Sequence, residues 1–120
     1  MQPKFKDIKE YEKAQLLLQP IYIRLIDNLR QQSELLSWDI SYEEITKPFP
    51  AYIVCLKKGN YISKNNIWEL CFQVCFDSYK SGQIHPVETD KNLIDDDGEL
   101  DWQQLDFKTK ILVKSLFISE

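Results

Sequence analysis

The stretch at residues 65–79, NNIWELCFQVCFDSY, constrains this chain more than any other. Asn66 followed by Glu69 has the spacing of a capping box, in which a side-chain acceptor meets orphan N–H groups and a carboxylate reaches back. Beyond it, Ile67, Leu70, Cys71, Val74 and Ser78 share one helical face. Trp68, Phe72, Cys75, Phe76 and Tyr79 fill the neighbouring face, which leaves Glu69, Gln73, Asp77 and Lys80 for water. A helix apolar around most of its circumference has to be covered on several sides. The pattern therefore predicts a central helix over 66–80, ended by Ser81-Gly82 with the glycine at C′.

What can do the covering follows from the rest of the chain. At 120 residues it reads as one domain, 1–120, able to bury about two-thirds of its unfolded surface. Three Trp, six Tyr and six Phe give the core bulk and argue against disorder. A net charge of −4 disfavours nucleic acid as a partner, since duplex affinity rests on neutralising phosphates. Residues 1–7 open with charges and no apolar h-region follows, so no secretory signal is expected. No apolar run approaches the ~18 residues of a membrane span. Three cysteines cannot all pair within one chain, and reduced thiols in a cytoplasm are the simplest account of them.

Residues 7–18 read as a helix with Ile8, Tyr11, Gln15 and Leu18 on one face and Ala14 and Leu17 beside it. Pro20 either kinks one long helix or opens a second, and the lack of flanking loop residues favours a continuous path with a bend. From 21 to 36, Ile21, Leu25, Asn28 and Leu29 form a stripe widened by Tyr22, Ile26 and Leu36. Asn28 on its inner edge needs hydrogen-bond partners if buried. Residues 38–43 alternate as a half-buried strand does. Pro48 and Pro50 stiffen a connector, and the apolar run 51–57 reads as a middle strand buried on both faces. Lys58-Gly59-Asn60 is turn chemistry, and 61–63 is a short returning strand. A connector follows, with a short strand around 86–89. Asp101 and Gln104 form a second capping-box pattern, with Leu100 and Leu105 as its staple. The last helix, 102–117, turns Leu105, Thr109, Leu112 and Leu116 inward, with Trp102 and Ile111 beside them. The fold class expected is α+β: a three-stranded antiparallel meander packed against helices, with a kinked N-terminal segment, a buried central helix and a C-terminal amphipathic helix.

Chemistry is thin. Cys71 and Cys75 are four apart on one helix, and Cys55 with His85 would complete a tetrahedral set. The spacing matches no zinc knuckle, however, and cysteines among Phe72, Val74 and Phe76 pack as small hydrophobes. A Cys–His nucleophile fails for the same reason, because a reactive thiolate needs a helix N-terminus or nearby cations, not mid-helix aromatics. The acidic run Asp95, Asp96, Asp97, Glu99 and Asp101 misses the EF-hand template and suits the start of the following helix. Lys57, Lys58 and Lys64 make a basic tip of the kind that guards a sheet edge. Phosphate-cradling and nucleophile-elbow motifs are absent, and three glycines leave little from which to build them. Neither cofactor nor metal nor catalytic residue is expected.

Trp38, Tyr42, Phe49, Tyr52, Tyr61 and Trp68 cluster in or beside the meander, more aromatic surface than a small core encloses. Exposed aromatics with a polar rim mark protein-binding surfaces. The reading is a non-enzymatic protein-interaction module, an adaptor or assembly factor, binding an unidentified protein partner through those six residues. Homodimerisation through the meander's edge or the 21–36 helix is an addition to it. The alternative is a small-molecule-binding or enzymatic domain with a pocket near Cys55, Cys71 and His85.

Segments 22–30 (YIRLIDNLR), 48–56 (PFPAYIVCL) and 67–76 (IWELCFQVCF) resemble a family of small, uncharacterised cyanobacterial proteins. No activity and no site residue comes with the resemblance. It implies a bacterial cytoplasmic setting, in line with the reduced-thiol argument.

Overall fold

The computed structural model describes residues 3–48, 50–80 and 85–117. Its elements are helix α1 (Ile8–Leu36), strands β1 (Asp39–Ile45), β2 (Ala51–Lys58) and β3 (Tyr61–Asn66), and helices α2 (Ile67–Cys75) and α3 (Trp102–Leu116). The strands form an antiparallel meander in the order β1-β2-β3, with Val54 opposite Tyr42 on one side and Asn65 on the other. This is the expected α+β fold, with helices packed on a meander.

Helix α1 starts where Asp7 caps it, accepting from the Glu10 N–H at 3.0 Å, and it runs through Pro20 without a break. A stripe of Ala14, Leu17, Ile21, Leu25 and Leu29, all 0% exposed, faces the core. Ile21, Leu25 and Leu29 are the stripe expected there, whereas over 8–18 it lies one step round, on Ala14 and Leu17, and Ile8 is outside it at 70% exposure. Lys13 takes a buried place instead, its stem covered and its ammonium held by Asp96 at 2.8 Å and Glu10 at 3.4 Å. Asn28 settles its amide locally, donating to the Arg24 carbonyl at 2.8 Å. Ser37 ends the helix in the left-handed conformation at φ 60°, and the Ser33 carbonyl accepts from the N–H groups of Ser37 and Trp38. Lys58, arriving from the end of β2, donates to the orphan Leu36 carbonyl at 2.8 Å.

Helix α2 is central, as its sequence requires. It packs on α1, α3, β2 and β3, and Ile67, Cys71, Val74 and Cys75 are fully buried. Asn66 caps it by accepting from the Trp68 N–H at 2.9 Å. Glu69 has a different partner from the one a capping box supplies, accepting from the Tyr79 hydroxyl at 3.0 Å.

Helix α2 also stops at Cys75, short of the expected residue 80. Phe76 is extended (φ −106°, ψ 149°) and forms an antiparallel bridge with Thr89. The neighbouring bonds Asp77 N–H to Glu88 carbonyl and Asp90 N–H to Cys75 carbonyl, both 2.9 Å, fix that course. Backbone pairing with a distant segment thus ends a helix that the local pattern would continue. The cap expected at 81–82 lies outside the described residues.

The middle strand is also corrected. Val54 and Leu56 are 0% exposed, whereas Ile53 and Cys55 are only partly buried and stand apart from the core. Helices cover one face of the sheet.

Beyond α2 the chain is stitched back onto the body. Val87 pairs in parallel with Phe5, its N–H donating to Lys4 at 2.7 Å and its carbonyl accepting from Lys6 at 3.2 Å. Residues 86–89 therefore make isolated bridges where a short strand was expected. Leu93 and Ile94 plug the core before Asp101 caps α3 through the Gln104 N–H. Helix α3 buries Leu105, Thr109 and Val113, while Trp102 and Ile111, expected near the inner face, are 51% and 53% exposed. Trp102 instead lies 4.9 Å beneath the Arg24 guanidinium, which also pairs with Asp106. Among the described residues no helix is long and apolar enough to cross a membrane.

Candidate functional site

The candidate chemical groups do not converge. Burial pushes the Cys71 thiol up to about 12, and burial and the neighbouring Cys71 push Cys75 up as well, so neither supplies thiolate near neutrality. Cys55 lies on the opposite side of β2 from Val54 and Leu56, and His85 is exposed. Among the described residues no three His, Cys, Asp or Glu side chains come together as metal ligands. The acidic turn is occupied with itself. Asp95 Oδ1 accepts from the N–H groups of Asp97 and Glu99 at 2.9 and 3.0 Å. Asp96 reaches Lys13, and Asp101 caps α3.

What the fold does build is a pair of clefts meeting at Trp68. The larger, about 500 Å³, is lined by Phe5, Tyr11, Gln15, Leu18, Asn66, Glu69 and Phe72, with Pro3, Pro50 and Trp68. The smaller, about 380 Å³, is lined by Tyr22, Glu44, Ile45, Thr46, Ala51 and Tyr52, again with Pro50 and Trp68. Trp68 is 46% exposed although it sits in the first turn of the central helix. It is held there by stacking on Tyr22, centroids 6.1 Å apart and planes 24° apart. Phe5 supports the far wall, edge-on to Tyr11 at 5.2 Å and to Phe76 at 5.7 Å. Among the described lining residues the charged groups are the carboxylates Glu69 and Glu44, with no Lys, Arg or His. Neither these two clefts nor two others, of about 490 and 350 Å³, are lined by Cys55, Cys71 or His85.

The six aromatics expected at an interface separate into groups. Trp68 and Tyr52 border the clefts, and Tyr42 stacks on Tyr52 at 5.5 Å. Burial raises the Tyr42 phenol above its ordinary pKa. Tyr61, 42% exposed, stands apart and meets Trp38 edge-on at 5.4 Å. Trp38 is 6% exposed and also packs on Phe117, so it is core and supports Tyr61 from below. Phe49 lies outside the described residues.

The cleft residues that this clustering misses are Phe5, Tyr11, Leu18, Tyr22 and Phe72. Their signal is present in α1. Tyr11, Gln15, Leu18 and Tyr22 follow one another at helical spacing, a second stripe beside the core stripe.

Compared with family models, curated proteins and solved structures, the chain matches none.

Proposed function

We propose that this protein is a non-enzymatic interaction module of the cytoplasm, an adaptor or assembly factor that holds a protein partner at Trp68. The observation supporting the reading is the half-exposed Trp68 standing between two aromatic-walled clefts. An indole in a cleft offers a large rigid contact at low entropic cost, and tryptophan and tyrosine are enriched among residues that dominate binding energy. The smaller cleft is mostly apolar, which suits a side chain entering from a partner, while Gln15, Asn66 and Glu69 in the larger one offer hydrogen bonds to the partner's backbone. Cys71 and Cys75 are sealed in the core, which keeps their sulfur from any substrate, and Cys55 stands on the sheet's other face, away from both clefts.

Quantitative capture from the source lysate with the wild type, Trp68→Ala and Tyr22→Ala tests this. Far-ultraviolet circular dichroism has to be unchanged in both variants. A retained protein weakened by at least about tenfold in Trp68→Ala is expected, the loss typical of a hot-spot truncation. Equal retention by wild type and Trp68→Ala, or nothing retained by the wild type, overturns the reading.

A further inference from the structure

The other open surface is the outer face of the sheet, and it is of a different kind. Alternation from the buried Val54 and Leu56 puts Ile53 and Cys55 of β2 on this face, with Ile62 of β3, 56% exposed, in register beside Lys57. None of these three belongs to the core or is packed against it. Around them the charges divide by strand. Asp39 and Glu43 lie along β1, while Lys57 and Lys64 lie on β2 and β3. Lys64 and Glu43 are 3.9 Å apart across the middle strand.

We propose that this face seats a second copy of the chain, sheet against sheet, about a two-fold axis parallel to the strands. Two sheets stacked face to face keep their strands near alignment. Only two in-plane two-fold axes do this. An axis across the strands lays β1 on the partner copy's β1 and brings four carboxylates together. An axis along β2 lays β1 of each copy over β3 of the other, so that Asp39 and Glu43 approach Lys64. Like charges set opposite each other are penalised, which selects the second arrangement. The two Lys57 side chains meet near that axis, each already flanked in register by Asp39. Three strands of about seven residues cover roughly 300 Å² per copy, against about 800 Å² in a standard interface. The dimer is therefore weak and forms as concentration rises.

This axis also places Cys55 opposite its own copy. Stacked sheets stand about 10 Å apart, too far for a disulfide but within reach of a short bis-maleimide. The full chain is treated with that reagent at increasing concentration, alongside sedimentation velocity. A covalent dimer is expected that Cys55→Ser abolishes and Ile53→Lys, which sets two further ammonium groups against each other at the axis, reduces at least tenfold. Lys64→Glu is expected to lose the dimer, and adding Glu43→Lys to it to restore it. A wild type that sediments as a monomer throughout overturns the proposal. So does cross-linking that survives Cys55→Ser or Ile53→Lys, or a Lys64→Glu loss that Glu43→Lys does not reverse. These substitutions lie away from Trp68, so partner capture in the same variants separates a failed dimer from a failed interaction site.

Discussion

Val54 and Ile53 are neighbours on one strand, yet they live in different surroundings. Val54 and Leu56 face helices and see no solvent, while Ile53 and Cys55 face outward with only their strand neighbours for shelter. An apolar run with no polar alternation asks for a cover on both sides. The chain supplies one cover from its own helices. The difference teaches that a strand's composition records every surface it meets, including surfaces that its own chain does not provide.

Thiol reactivity should expose the contrast most sharply. Cys55 is expected to react with Ellman's reagent in the native protein, whereas Cys71 and Cys75 react only through opening of the fold. Their labelling should be slower by about a thousandfold or more. Equal rates for the three thiols would erase the distinction between the faces. Core truncation comes next. Leu56→Ala is expected to cost about 2–5 kcal/mol in urea unfolding, against about 1 kcal/mol or less for Ile53→Ala in dilute protein. Similar costs at the two positions would mean that both faces are filled.

The cover itself is pinned by Glu10. Its Oε1 accepts from the N–H and hydroxyl of Thr89 at 2.7 and 2.9 Å, and its Oε2 meets Lys13. Burial would raise this carboxyl's pKa, but those bonds and the ammonium outweigh it and hold the group below its usual range. Glu10→Ala should cost about 1–3 kcal/mol, mostly from the unpaired groups left behind. Asp90, bonded to Lys108 at 2.7 Å and to the Asn92 N–H, is likewise depressed against the opposing effect of burial. A depressed carboxyl stabilises the fold fully above its unfolded pKa, about 4, and loses that contribution as pH falls through the folded value. Stability should therefore hold from neutrality to about pH 5 and decline below about pH 4. Glu10→Ala should flatten that decline, and an unchanged acid profile would remove Glu10 from the account. The smallest effect belongs to the point where the edge strand becomes the cover. Asn66→Ala, which removes the cap of α2, should cost about 1 kcal/mol.

Local patterns carried much of this architecture. The caps at Asn66 and Asp101, the passage through Pro20 and the turn at Gly59 were legible because each depends on residues within one helical turn or one hairpin. The end of α2 was not, since Phe76 leaves the helix for a partner thirteen residues further on, at Thr89. Lys13 in the core needed Asp96 to be known as its neighbour. The clefts were half legible. Trp68 and Tyr52 stand out in the sequence beside the meander, but the wall from α1 is hidden because Tyr11 and Leu18 fall at the spacing of a core stripe. A helix with two apolar stripes looks from its sequence like a helix with one broad one.

The hydrogen bonds from Thr89 to Glu10 join groups 79 positions apart, and the Phe5–Val87 bridge spans a similar distance. During synthesis, which runs at about 5–20 residues per second, the first helix waits several seconds for these partners. Through that interval its buried acid and lysine have only each other, and its apolar stripe lies bare. These stitches thus close long loops, and any early release of the growing chain would leave the opening turns of α1 exposed to misassembly.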